Sequence, residues 1–181
     1  MYIRKGSPEG EFGMWKNEEK ILTDGELCRF VESNPKSVIV LTGPTMCGKT
    51  SLLKSVKTNR KLRVSAELFS EVVYTINKNK NYDLKDCLLS SFGDCELLCI
   101  EDLDMFMASY NVLCWASDNF IREVLKNTTI VFTGVDIDKW QIFSELSTDL
   151  EVLFIKYYNG TDEDGSEGKI KIFTYSTVYD D

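Results

Sequence analysis

The chain has 181 residues, 43% of them hydrophobic and 28% charged, with a formal net charge of −8 and no histidine. This length points to one domain with a continuous core. The acidic balance argues against a protein that coats nucleic acid by bulk attraction, and the absence of histidine removes Ser-His and Cys-His catalysis.

Residues 1–22 read as an N-terminal extension. Its opening, MYIRKGSPEGEFGMW, lacks the apolar stretch of a secretory signal, and no apolar run in the chain is long enough to span a membrane. A cytoplasmic location is therefore expected. Phe12 and Trp15 lie ahead of the first helix, where core packing competes with contact to a nucleotide base. SVIVLT (37–42) is a β-branched apolar run ending at glycine, which predicts a buried strand. Lys49 to Thr58 predicts a helix with Leu52, Leu53 and Val56 on one face. KLRVS (61–65) predicts a second strand. Ser65 is a candidate cap for helix 66–78, in which Leu68, Val72 and Ile76 recur at helical spacing. Residues 82–92 predict a further helix with Asp83 as its cap. ELLCI (96–100) predicts a third strand, 111–127 a helix with Val112, Trp115, Phe120 and Val124 inward, and TTIVFT (128–133) a fourth strand. DIDKWQIFSEL (136–146) predicts a helix and EVLFIKYY (151–158) a fifth strand. Strands separated by helices imply an α/β fold with a parallel sheet covered on both faces. NGTDEDGSEG then reads as an acidic loop. KIKIFTYSTV reads as a last strand hairpinned antiparallel against the fifth. The organisation expected is 1–22 extension, 23–158 core, and 159–181 acidic loop with a C-terminal edge strand.

Six cysteines, Cys28, Cys47, Cys87, Cys95, Cys99 and Cys114, form no CxxC pair. They read as reduced thiols packed as small hydrophobes; a zinc site would need four of them from unrelated segments. Charge is unevenly spread. No acid lies between Ser33 and Ala66, a stretch that carries Lys36, Lys49, Lys54, Lys57, Arg60, Lys61 and Arg63. The basic segment 54–63 reads as a solvated face or, less readily, as a contact to a phosphate backbone.

LTGPTMCGKTSL (41–52) has the GxxxxGKT spacing of a phosphate-cradling loop, placed between a predicted strand and a predicted helix. Gly43 and Gly48 permit the tight backbone path and a close approach. The amides of Gly43, Pro44–Cys47 (proline excepted) and Gly48–Ser51, which include Thr45 and Met46, converge on an anion. Lys49 reaches the outer phosphates, and Thr50 offers its hydroxyl to Mg²⁺. Cys47, among these amides and near Lys49, is a candidate reactive thiol that nucleotide would shield. About fifty residues on, the apolar run ELLCI ends in Glu101-Asp102. Acids at that strand tip can ligate Mg²⁺ and polarise water. The plainer alternative is a strand followed by a helix start, with Asp104 as the cap.

These features together resemble the AAA+ family of ATPases, and within it the nucleotide-binding domain of the replication initiator DnaA and related helicase loaders. The likeness runs from about Phe30 to Lys156 and rests on NPKSVIVLTGPTMCGKTSLL, RVSAELFSEVVYTI, FGDCELLCIEDLDMF and TTIVFTGVDID. It implies a three-layer P-loop NTPase with five parallel strands ordered 5-1-4-3-2. It also implies ATP and Mg²⁺ as ligands, Lys49, Glu101 and Asp102 as catalytic residues, Thr50, Glu101 and Asp102 around the metal, and Thr133 as the sensor.

The departures shape the functional expectation. The family usually has Asp-Asp where this chain has Glu101-Asp102, and the longer glutamate arm displaces a metal unless the strand shifts. Val135 stands where aspartate is expected. No arginine follows Arg122, so an arginine finger, worth about 10³–10⁵ in rate, would come from another protein. No counterpart of the family's helical lid or DNA-reading module is expected within these 181 residues. The expected function is an ATP-binding switch in DNA replication or mobile-element processes, with weak or partner-dependent hydrolysis and DNA or a helicase protein as partner. The alternative is a degenerate nucleotide-binding adaptor with little turnover. A kinase would need a basic lid after the acidic strand, and a GTPase an NKxD signal; neither is visible.

Overall fold

The computed structural model describes residues 14–16, 24–79, 83–106, 109–116, 120–148, 150–157 and 170–176. In chain order the elements are β1 (Met14–Lys16), α1 (Asp24–Ser33), β2 (Val38–Thr42), α2 (Lys49–Ser55), β3 (Lys61–Ser65), α3 (Ala66–Lys78), α4 (Leu84–Phe92), β4 (Leu97–Glu101), α5 (Ser109–Ala116), α6 (Arg122–Val124), β5 (Thr129–Gly134), α7 (Gln141–Leu146), β6 (Val152–Tyr157) and β7 (Ile170–Ser176).

The sheet order is β1-β7-β6-β2-β5-β4-β3. Its body is five parallel strands, β6-β2-β5-β4-β3. Counted among themselves, these strands run 5-1-4-3-2, the order the resemblance implies. β7 pairs antiparallel with β6, and β1 pairs antiparallel with β7. The tail loop lies outside the described residues, as does Phe12.

Alternation along the central strands builds two cores. Val38 and Val40 face one side, Ile39 and Leu41 the other, and all four are buried. The smaller core lies under α1 and α2 and holds Leu27, Val31, Leu52 and Leu53. The larger lies under α3 to α7. There the ring of Phe69 packs, tilted, 5.2 Å from Phe92 and 6.1 Å from Phe120, and Phe132 lies 5.3 Å from Phe143. Each such ring, fully buried, contributes roughly 1.5–3 kcal/mol. Helices on both faces and buried strands between them make three layers, as a parallel sheet requires.

Local signals place several ends well. Ser65 caps α3 by accepting from Leu68 N at 3.1 Å, and Asp83 caps α4 by accepting from Asp86 N at 3.1 Å. The inward face of α3 differs from the one expected. Ala66, Phe69, Ser70 and Val73 are buried, Val72 and Ile76 sit at the flank, and Leu68 is 48% exposed. The Phe69–Val73 stripe lies one residue around from Leu68–Val72–Ile76, and the larger ring takes the core. The helix expected over 49–58 stops at Ser55, where Val56 turns to extended backbone. The one expected over 136–146 divides into a 3₁₀ turn, Ile137–Lys139, and α7, with Trp140 extended between them and stacked on Phe143. The helix expected over 111–127 is represented by α5 and the short α6. Phe120 and Val124 are buried as expected, and Val112 packs partly against the same core. The side chain of Trp115 lies outside the described residues.

Candidate functional site

Parallel strands leave their C-terminal tips on one edge of the sheet, and ligands of open α/β sheets bind in the crevice beyond those tips. Here the tips of β2, β4 and β5 meet. The loop from Gly43 to Gly48 follows β2, and a cleft of about 320 Å³ opens above it. Loop residues 45–51 line one side; Asp102, Asp104, Met105 and Val135 line the other.

The backbone of the loop is tightly specified. A Cβ on Gly43 would lie 2.2 Å from the carbonyl oxygen of Tyr157 on β6. Gly48 takes φ 107°, which favours glycine. Gly43 N donates to Gly134 O at 3.2 Å, and Cys47 N to Pro44 O at 3.4 Å. Among the described residues the amides of Thr45, Met46 and Gly48 meet no acceptor. Met46 sits at the apex with φ 62° and is 97% exposed. Asp102 (φ 61°), just after β4 and also lining the cleft, is left-handed too, as are Asp136 (φ 52°) two residues beyond β5 and Lys36 (φ 62°) ahead of β2. Strained residues of this kind gather where a site constrains the backbone.

Lys49 and Thr50 open α2. The side chain of Lys49 is buried, and its ammonium donates to Gly43 O at 2.7 Å and Pro44 O at 2.8 Å, with Cys47 Sγ at 3.8 Å. The lysine thus braces the loop from inside. Thr50 Oγ1 donates to Glu101 Oε2 at 2.8 Å, tying the loop to the tip of β4. Ser51 lines the cleft and its carbonyl accepts from Ser55 Oγ. Cys47 borders the cleft, and its side chain is buried in the core beneath α2.

The two acids at the tip of β4 have different surroundings. Glu101 is buried, and Arg63 on β3 grips it with both arms of its guanidinium: Nε to Oε1 at 2.5 Å and Nη2 to Oε2 at 2.9 Å. Asp102 instead faces the cleft. Its amide donates to Thr133 Oγ1 at 3.1 Å. Loss of solvent, then the charges of Glu101 and Asp104, push its carboxyl above the ordinary aspartate range, with Lys49 and Arg63 acting the other way. Thr133 is fully buried and reaches the cleft only through Asp102. Among the described residues the side chain of Asp104 bridges strands rather than capping a helix. Its Oδ1 accepts from Val135 N at 2.8 Å, so the backbone of Val135 provides the link between β4 and β5 at the position where an aspartate side chain was expected.

Sequence reasoning missed Arg63 as a partner of Glu101. The basic segment 54–63 is largely committed to structure. Lys61 Nζ donates to Leu53 O, Lys54 O and Val56 O, each at 2.8 Å, capping the C-terminal end of α2. Arg60 pairs with Asp94. Lys54 and Lys57 remain exposed.

A magnesium nucleotide fits this donor set. Thr50 gives its hydroxyl proton to Glu101, which leaves oxygen lone pairs for a hard cation. The unengaged loop amides suit polyphosphate oxygens, and the Lys49 ammonium would have to give up Gly43 O and Pro44 O to join them.

No protein-family model matches the chain, and no curated protein matches it. Solved structures do. Domain III of the Thermotoga maritima replication initiation protein DnaA aligns with a TM-score of 0.56 and 18% identity over 77% of this chain and 62% of that one. The chain is similar in fold to that domain of DnaA. AMPPCP-bound DnaA from Aquifex aeolicus aligns with a TM-score of 0.51 and 14% identity, over 78% of this chain and 49% of that one. A DnaA bound to AMPPCP and single-stranded DNA aligns at 0.54 and 15%, over 71% and 44%. The chain therefore spans between 44% and 62% of the length of these DnaA chains. Among the described residues no helix is long and apolar enough to cross a membrane.

Proposed function

We propose that the chain binds ATP with Mg²⁺ in the cleft above residues 43–51 and acts as a nucleotide switch in DNA replication or mobile-element processes. The observation that carries this is the bond from Thr50 Oγ1 to Glu101 Oε2 at 2.8 Å. It brings the phosphate-loop hydroxyl and the acidic strand tip to one point, with Asp102 alongside. The DnaA structures bound to AMPPCP, one of them also bound to single-stranded DNA, support the choice of ligand and partner.

In this reading the amides of residues 45–51 and the ammonium of Lys49 hold the phosphates. Thr50, Glu101 and Asp102 would hold the cation, which would supply positive charge against that developing on the phosphoryl group. Asp102 faces the cleft and orients the attacking water. Thr133 senses the state of the site through the Asp102 amide. Residues 123–181 hold no arginine to stabilise that charge, so turnover by these residues unaided is weak. A DNA or helicase partner in the cytoplasm raises it. The second reading, a nucleotide-binding adaptor with little turnover, is favoured by Glu101 having both oxygens engaged by Arg63 and Thr50.

A turnover assay with and without single- and double-stranded DNA, alongside calorimetry with ATP and Mg²⁺, tests both. The switch predicts binding, turnover stimulated by DNA or a partner protein, and loss of both in Lys49→Ala. Binding with turnover unchanged in Asp102→Asn supports the adaptor. No heat and no thermal protection with folded protein overturns either.

A further inference from the structure

We propose that Arg63 is a positioning residue that lets a glutamate serve at the tip of β4 where a shorter acid would otherwise stand. The inference rests on the magnesium-nucleotide reading above. Glu101 reaches one methylene further than aspartate, so from the same backbone position its carboxylate would project into the cleft. It does not line the cleft. β3 and β4 run parallel, with Arg63 opposite Cys99 and Ser65 opposite Glu101. Arg63 therefore stands on the same face as Glu101 but one pleat behind the strand tip. Its guanidinium holds the carboxylate beside Thr50 and out of the open cleft by a two-point grip that a point charge cannot reproduce.

The consequence falls on Thr50. Oε1 is taken by Arg63 Nε, and Oε2 is shared between Arg63 Nη2 and Thr50 Oγ1. The orientation of the threonine hydroxyl is thus fixed by a carboxylate that is itself fixed by Arg63. The hydroxyl proton points at Glu101, and its lone pairs are left for the cation. The same grip takes Glu101 out of contention as a water-activating base and leaves that task to Asp102. Stability alone is a poor reason for the pair, because a buried ion pair often does no better than an apolar replacement of the same volume.

Calorimetry with AMPPCP, with and without Mg²⁺, reads the effect without relying on turnover. In the wild-type protein Mg²⁺ strengthens binding. In Arg63→Gln that gain falls by about tenfold or more, while affinity without Mg²⁺ stays within about twofold. In Arg63→Gln combined with Glu101→Asp, the shorter arm needs no restraint and most of the gain returns. Melting curves on the same samples report folding. Should Arg63→Gln fail to fold, Arg63→Lys, which keeps the charge and loses the fork, decides the matter with an expected gain reduced severalfold. A full Mg²⁺ gain in a folded Arg63 variant, or no recovery in the double variant, overturns this inference alone. Absence of any AMPPCP binding by the wild-type protein overturns the proposed function and this inference with it.

Discussion

Replacing Lys61 with methionine separates a structural role of the basic segment from a nucleic-acid role. Its ammonium donates to Leu53 O, Lys54 O and Val56 O at 2.8 Å each. Carbonyls at the end of a helix have no intrahelical partner, and a positive charge there opposes the negative end of the helix dipole. Methionine keeps most of the apolar stem and removes only the charged head. A hydrogen bond to a charged group contributes about 1.5–3 kcal/mol net. Here three bonds share one half-buried ammonium and water can replace part of them, so the loss comes to about 2 kcal/mol. At about 2–4 °C per kcal/mol for a domain of this size, the melting temperature falls by about 4–8 °C. Lys61→Met should leave DNA affinity and its salt dependence unchanged, because the ammonium is already committed. Lys57→Gln, at an exposed position, should do the reverse if the segment touches DNA: the same melting temperature and a salt slope shallower by about 1. Differential scanning calorimetry and fluorescence anisotropy at two salt concentrations read both. A Lys61→Met protein that melts with the wild type and loses salt-dependent DNA affinity would refute the capping argument.

Gly43→Ala should cost about 1–3 kcal/mol in a denaturant titration, because the new methyl would lie 2.2 Å from a backbone oxygen of Tyr157; an unchanged midpoint would mean that β2 and β6 part easily. Asp102→Asn should melt above the wild type at pH 7. A carboxyl whose folded pKa is raised above its ordinary 3.8 binds its proton more tightly in the native state. Its contribution to stability is therefore full at low pH and is lost as pH rises through the raised value. The advantage of the amide should vanish below about pH 3.8, and melting equal to the wild type at pH 7 would contradict the assignment. Asparagine also tolerates the left-handed backbone of that position. Iodoacetamide should label Cys47 more slowly than the half-buried Cys87, and ATP should slow it further; fast labelling of Cys47 in the folded protein would show that the loop opens away from the core.

What the sequence disclosed depended on whether the deciding interaction was local. β3 and α3 begin and end where expected because Ser65 closes one and caps the other. The phosphate loop was legible because its constraints, two glycines and a Lys-Thr pair, lie within eight residues. The inward face of α3 was misjudged because Leu68 and Phe69 offer stripes of similar length, and only the ring cluster with Phe92 and Phe120 decides between them. The breaks near Val56 and Trp140 follow from caps and stacking supplied by Lys61 and Phe143, residues outside the periodic pattern itself. Arg63 falls between these cases. Alternation along KLRVS puts residues 61, 63 and 65 on one face, and the order 5-1-4-3-2 sets that strand beside the one ending in Glu101. Two residues back from the end of an edge strand is the diagonal position next to a neighbour's tip, within reach of a long side chain. A buried glutamate in that place needs a cation, and among the residues β3 can offer on that face, Lys61 lies a further pleat away and caps α2. Arg63 was therefore derivable as the partner of Glu101 once strand order and alternation were applied together.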